Sequence, residues 1–232
     1  MQTTFQLFLG QPRNGDEDMR PERILGTRAT EARRHRFLIC GAALLLGLAL
    51  PTAALSSEMS GPNLIQNGGF EQPSVGAGGY KLVTTGQRFA GWKAVGATGN
   101  VAPISTTFQQ SGIHFVARAG KQWVDLTGLS NSATGVAQVV KTQSGATYSL
   151  SFAVGNVSDP GGVFGTRSTV NVLVNGHKLL AATNTGGSKT QGWKSFTLKL
   201  KATSASTTIQ FLNGDSTSDS DNGLDAVSLT KR

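Results

Sequence analysis

Hydrophobic and polar residues alternate along the second half of this 232-residue chain. In "ATYSLSFAV", residues 146–154, Tyr148, Leu150, Phe152 and Val154 fall on one face and Thr147, Ser149 and Ser151 on the other, the two-residue period of a half-buried strand. "STVNVLVNGHKLLAAT" predicts a second strand through Val170, Val172 and Val174. Asn175-Gly176 then supplies the dipeptide that a two-residue type I′ hairpin prefers. "WKSFTLKLKA" buries Phe196, Leu198 and Leu200 and exposes Lys199 and Lys201, and "STTIQFLNGD" and "LDAVSLT" follow. No window longer than ten residues carries helical period, and Thr, Ser, Val and Gly dominate. The pattern predicts an all-β chain, a single β-sandwich for which a jelly roll is the common arrangement at this length.

The first 56 residues break that pattern and are set apart from the domain, which is expected over residues 57–232. Six arginines, Arg20 to Arg36, precede the apolar run Phe37 to Leu50, and Pro51 and small residues follow. Basic, apolar and small segments in that order predict a signal peptide cleaved after Ala54 or Ser56. The run is short of the ~20 residues of a spanning helix, so the mature form is expected to have no membrane span and to be secreted or held in the periplasm or cell envelope. Asp16, Glu17 and Asp18 do not suit a signal n-region, which makes Met19 an alternative start. Cys40 is the only cysteine, so residues 57–232 carry no thiol, disulfide or thiolate metal site.

Charge narrows the partners. From Ser57 onward fourteen Lys and Arg stand against eight Asp and Glu, a net of about +6. Lys81, Arg88, Lys93, Lys141, Lys178 and Lys199 are spread singly, with no basic run and no aromatic ladder, which argues against nucleic acid. A diffuse positive surface fits an exported protein that meets anionic polymers, and it fits plain solubility equally.

An ordered set of motifs carries a resemblance. "NLIQNGGFEQP" from Asn63, "GWKAVG" from Gly91, "AGKQWVDLTG" from Ala119, "GVAQVVKTQSGATYSLSFAVGN" from Gly135, "WKSFTLKLKA" from Trp193 and "GLDAVSL" from Gly223 together resemble the choice-of-anchor C family, bacterial relatives of a plant cell-wall family of unknown function. The resemblance covers Asn63 to Leu229 and implies a galactose-binding-like jelly roll related to carbohydrate-binding modules, non-catalytic and glycan-associated. Many members carry a C-terminal anchor; this sequence stops at Lys231-Arg232 with no apolar tail, so a form without an anchor is expected.

In galactose-binding-like modules a calcium ion often joins the first strand to the last through a Glu after an Asn-Gly-x-Phe turn and an Asp heading the closing strand. The resemblance assigns those roles here to Glu71 and Asp225. Calcium needs six to eight oxygens at about 2.3–2.6 Å, and Asp125 is a candidate third ligand. The alternative is that Glu71 and Asp225 accept hydrogen bonds from backbone amides. Asp215, Asp219 and Asp221 lack EF-hand spacing and are expected to be solvated loop carboxylates.

Sugar rings pack against exposed aromatic faces while polar neighbours take their hydroxyls. Trp92 and Trp193 flank strands and are expected in the core. Trp123, with His114, Arg118, Tyr80 and Phe108, forms the candidate sugar-binding set. An enzyme is not expected: His114 and His177 are the only histidines after residue 57, and no nucleophile-elbow motif accompanies them. The expected partner is a polysaccharide or glycoconjugate, with an envelope or matrix protein as the competing reading.

Overall fold

The alternating segments fold as strands. The computed structural model describes residues 61–216 and 221–232, among which there is no helix; the signal-peptide segment and Asp219 lie outside the described residues. Short strands come first: β1 (Val83–Thr84), β2 (Arg88–Phe89), β3 (Trp92–Gly96), β4 (Asn100–Ser105), β5 (Phe108–Gln110), β6 (Ile113–Phe115), β7 (Gln122–Asp125) and β8 (Thr134–Lys141). Longer ones follow: β9 (Thr147–Asn156), β10 (Ser168–Val174), β11 (His177–Asn184), β12 (Gly192–Lys201), β13 (Ser206–Asn213) and β14 (Gly223–Lys231).

They form two six-stranded sheets, β1-β4-β7-β14-β9-β12 and β11-β10-β13-β8-β3-β2, with β5 and β6 as a separate two-stranded ribbon. All strand pairs are antiparallel, as the expected sandwich requires. The β10–β11 hairpin turns at Asn175 (φ 49°) and Gly176 (φ 83°), with Val174 opposite His177. Positive φ at both central residues is what a type I′ turn demands.

Between the sheets, Val124, Leu150, Phe152, Val154, Leu224 and Leu229 of the first meet Trp92, Val136, Val170, Val172, Ile209 and Phe211 of the second. Trp92 lies at the centre of this core, fully buried. It stacks on Phe70 at 5.2 Å, and its indole N–H donates to the Asn67 carbonyl at 3.0 Å. Burying the ring while satisfying its one donor is the arrangement a core tryptophan needs.

Two features of the first sheet position everything that follows. Among the described residues the β5–β6 ribbon and the segment around Phe164 cover the end of its outer face that holds Ala102, Ile104 and Trp123. Its central strand also changes partner. The start of β14 pairs with β7 at Gly223 and Leu224, whereas its far end pairs with the N-terminal segment, Leu64 N donating to Leu229 O at 2.8 Å and Gly61 N to Lys231 O at 3.1 Å. Between the two lies a β-bulge, where the register on β9 shifts after Asp225 and Ala226 adopts φ 52°. An extra residue of this kind re-aims the neighbouring side chains.

Candidate functional site

The bulge puts Asp225 at the point where β14 leaves β7, and its carboxylate is fully buried. Asp225 Oδ2 accepts from the Arg118 and Ala119 amides at 2.9 and 3.1 Å, and Oδ1 from the Ala226 amide at 2.6 Å. Glu71 Oε1 accepts from the next two available amides of the same loop, Lys121 at 2.8 Å and Gln122 at 3.2 Å. Two carboxylates thus clamp residues 118–122, one from each end of the domain sequence. Gly120 sits between the clamped pairs with φ 69°, and a β-carbon there would collide with Glu71 Oε1, so the clamp demands glycine.

Charge is concentrated here. Burial pushes the Asp225 carboxyl up to about 7, and the Glu71 carboxylate adds to the rise, against the lowering by the three amides. At Gly69 the missing side chain leaves a slot: a β-carbon there would lie 3.8 Å from Asp225 Oδ1 and 4.0 Å from Glu71 Oε1. The slot is therefore flanked by oxygens of both carboxylates.

Asp125 does not join them. Its Oδ1 accepts from Thr127 N at 2.9 Å and Thr127 Oγ1 at 2.7 Å, and its Oδ2 from Gly128 N at 3.0 Å. That closes the "DLTG" turn at the end of β7. Burial outweighs those bonds and raises the Asp125 carboxyl to about 6. Among the described residues no three His, Cys, Asp or Glu side chains come together to hold a metal ion. The loop carboxylates differ from the sequence expectation as well. Asp215 is buried and takes Arg167 Nη2 at 2.8 Å, and Asp221 is buried and accepts from Val157 N at 3.1 Å.

The aromatic candidates assemble, but as packing. Tyr80, Phe108, Phe115, Trp123 and Trp193 form a chain of ring contacts with centroids 5.7, 5.7, 6.2 and 6.0 Å apart. Trp123 has 0 % exposure, so it is no platform for a sugar. Strand alternation places it on the outer face of the sheet, and the β5–β6 ribbon then buries that part of the face with Ile113 and Phe115. Tyr80 and Phe108 are half-buried at the rim of this cluster, and His114 is exposed on the ribbon's far side. Trp193 belongs to the same second cluster and not to the main core, its indole N–H donating to Val116 O at 2.8 Å.

Of the candidates, Arg118 borders an open, concave surface. Beyond the aromatic cluster the outer face of the first sheet borders a groove of about 300 Å³. It is lined by Arg118 and Ala119 of the clamped loop, Ala226 of the bulge, and Ser151, Ser195 and Thr197 of the sheet, with the apolar Phe152, Ala153 and Phe196 between them. Registers align these hydroxyls in rows: Thr197 opposite Ser151, itself opposite Ser228, and then Lys199 opposite Ser149, itself opposite Thr230. The floor was readable in part from "WKSFTLKLKA", whose alternation puts Ser195, Thr197, Lys199 and Lys201 on one polar face. That the face is concave, and that the 118–122 loop walls it, was not.

Among solved structures the chain is similar to a cyclase from Fischerella sp. TAU in complex with 4-(1H-indol-3-yl)butan-2-one (22 % identity over 75 % of this chain and 97 % of that one, TM-score 0.49). It is also similar to the CBM22-1 xylan-binding domain of Xyn10C from Paenibacillus barcinonensis (17 %, 67 % and 96 %, TM-score 0.41). A third likeness is to TmCBM61 in complex with β-1,4-galactotriose (16 %, 74 % and 99 %, TM-score 0.41). No curated protein matches. A family model, however, matches residues 63–229, most of the chain, including the Asn63–Pro73 turn, the clamped loop and the closing strand; the chain therefore belongs to the family described as Protein of unknown function (DUF642).

Proposed function

We propose that this protein is an exported, non-catalytic module of the choice-of-anchor C kind that binds carbohydrate in the groove on the outer face of its first sheet. The observation that carries this reading is the groove itself: Ser151, Ser195 and Thr197 present hydroxyls from adjacent rigid strands beside the Arg118 wall. Hydroxyls held on strands suit the hydroxyls of a pyranose. The aromatics that line the groove, Phe152 and Phe196, are buried and half-buried, so affinity is expected to come from the polar residues beside them. Glu71 and Asp225 hold backbone amides, a loop-building role that leaves no positioned acid and base.

The test is gel retardation of the full chain by a panel of soluble polysaccharides, repeated with Ser195→Val/Thr197→Val. Valine keeps the strand preference and removes the hydroxyls. Retardation by at least one polysaccharide, lost in the double variant, is the expected result. The competing reading, a matrix or protein-interaction domain, is favoured by the lack of an aromatic platform on this face. It gains if no polysaccharide retards the chain.

Calcium belongs to the same reading. Glu71 and Asp225 would hold the ion, and it would supply the positive charge that two neighbouring carboxylates lack. Support comes from the slot at Gly69, flanked by oxygens of both, and from the raised Asp225 carboxyl. Gly69→Ala fills that slot at ordinary contact distance, so it should leave the chelated protein's melting temperature unchanged and reduce the rise on adding Ca²⁺. A wild-type melting temperature that is the same in calcium and in chelator overturns the assignment in favour of the amide-only clamp.

A further inference from the structure

Burial sorts the charges of this molecule by sign. Every Lys and Arg among the described residues is exposed, and none of the described carboxylates is. Asp125, Asp215, Asp221 and Asp225 are buried. Asp159 lies 3.1 Å from Lys189 Nζ, and Glu71 is turned onto the Lys121 and Gln122 amides. Among the described residues the exposed charged side chains are therefore all cationic, which favours an anionic partner.

Four of these cations, Arg118, Lys199, Lys201 and Arg232, lie in the groove or along the strand rows that lead into it. Arg118 forms one wall. Lys199 and Lys201 continue the polar face of β12 past Thr197, each step on that face about 6.5–7 Å. Arg232 reaches the same rows, its Nη2 donating to Ser149 Oγ at 3.1 Å and its amide to Thr147 O at 3.0 Å. A hydroxyl floor is thus flanked at both ends by guanidinium and ammonium groups.

We infer that the groove recognises glycan chains bearing anionic groups, carboxylates of uronic acids or sulfate esters, with Arg118, Lys199, Lys201 and Arg232 pairing the charges and Ser151, Ser195 and Thr197 meeting the ring hydroxyls. The inference rests on the carbohydrate reading above and adds the ligand's charge. Arginine pairs carboxylate and sulfate through two parallel N–H groups, and lysine acts as a point charge. A single-stranded nucleic acid fits less well, since base stacking needs exposed rings. The rings nearest this floor, Phe152 and Phe196, are stacked on each other at 5.6 Å. A membrane surface calls for exposed apolar side chains to insert, and of the apolar residues lining the groove only the small Ala119 and Ala226 are exposed, Phe196 being half-buried and Phe152 and Ala153 buried.

The experiment is gel retardation of the full chain in polygalacturonate, in fully methyl-esterified polygalacturonate and in dextran sulfate, at about 20 and 200 mM salt. The variants are Lys199→Ser/Lys201→Ser and, as a control of equal charge on the other sheet, Lys93→Ser/Lys141→Ser. Retardation by polygalacturonate or dextran sulfate that falls at least about tenfold in high salt, and falls by a similar factor in the β12 variant only, supports the inference. The polymer that is retained distinguishes carboxylate from sulfate. Equal loss in both double variants assigns the effect to diffuse charge and overturns the inference. Equal retardation by the esterified polymer overturns it while leaving the carbohydrate reading intact; no retardation by any of the three overturns it as well, and the carbohydrate reading then rests on the neutral polysaccharides of the wider panel.

Discussion

The two ends of the first sheet's outer face share strands and have opposite fates. Strand β12 runs through both, from Trp193 in the second cluster to Ser195, Thr197, Lys199 and Lys201 on open surface. At one end a ribbon and a loop bury Trp123 completely; at the other, hydroxyls and cations stand in rows along a groove. Pleating decides which residues share a face, and tertiary structure decides whether that face is covered. Apolar side chains at the covered end stabilise the domain. Polar ones at the bare end are available for a ligand, and the carboxylate-clamped loop marks the boundary.

The largest way to break the contrast is Trp123→Ala. Removing a fully buried indole is expected to cost about 3–5 kcal/mol, read as a lower urea midpoint, while the fraction that stays folded keeps its retardation by glycan. Loss of retardation at unchanged stability would return Trp123 to a binding role. Next comes the ion. With free Ca²⁺ at a hundred times its dissociation constant, about 2.7 kcal/mol of stabilisation is expected over chelated protein, and Glu71→Gln should remove it.

Asp225→Asn probes the boundary itself. The variant keeps one acceptor for the 118–119 amides but turns an NH₂ donor toward the Ala226 amide, at an expected cost of about 1–3 kcal/mol in calcium. Its pH dependence is opposite to that of an ordinary paired aspartate. The folded carboxyls of Asp225 and Asp125 hold their protons up to about 7 and about 6, against 3.8 as the ordinary value. In chelator, the stabilisation from these two groups is complete below about pH 4, declines as pH rises, and is lost above about 7. Asp225→Asn should flatten the upper part of that decline in urea midpoints compared at pH 5 and pH 8. Smallest in stability is Lys199→Ser/Lys201→Ser, expected to stay within about 0.5 kcal/mol of wild type because both side chains are exposed.

Much of the sandwich was legible. The strands from Thr147 onward are long, alternate regularly and are punctuated by turn residues such as Asn175-Gly176, and local pattern suffices for such segments. Strands of two or three residues, such as β1, β2, β5 and β6, are too short to show a period. Missing the β5–β6 ribbon is what turned Trp123 from an exposed platform into a buried ring. Asp215 and Asp221 were misread because their partners, Arg167 and the Val157 amide, lie 48 and 64 residues away. The closeness of Glu71 and Asp225 was anticipated through a family resemblance, since no local pattern links residues so distant in sequence. The amides that fill their clamp come from a third segment, residues 118–122.

The position of β14 at the centre of the first sheet has a consequence for how the molecule is made. Ribosomes deliver this strand after the thirteen others described, yet in the sheet β7 and β9 are joined through it, and the backbone of Gly61 and Leu64 finds its partner there. A nascent chain that has not yet reached Gly223 cannot close the sheet, and joining Leu64 to Leu229 carries the entropic cost of a very long loop. Acquisition of structure is therefore expected to be a late and collective event, gated by the emergence of β14 and not by stepwise growth from the first strands. Cutting the chain before Gly223 should leave a protease-sensitive polypeptide in place of a smaller folded one.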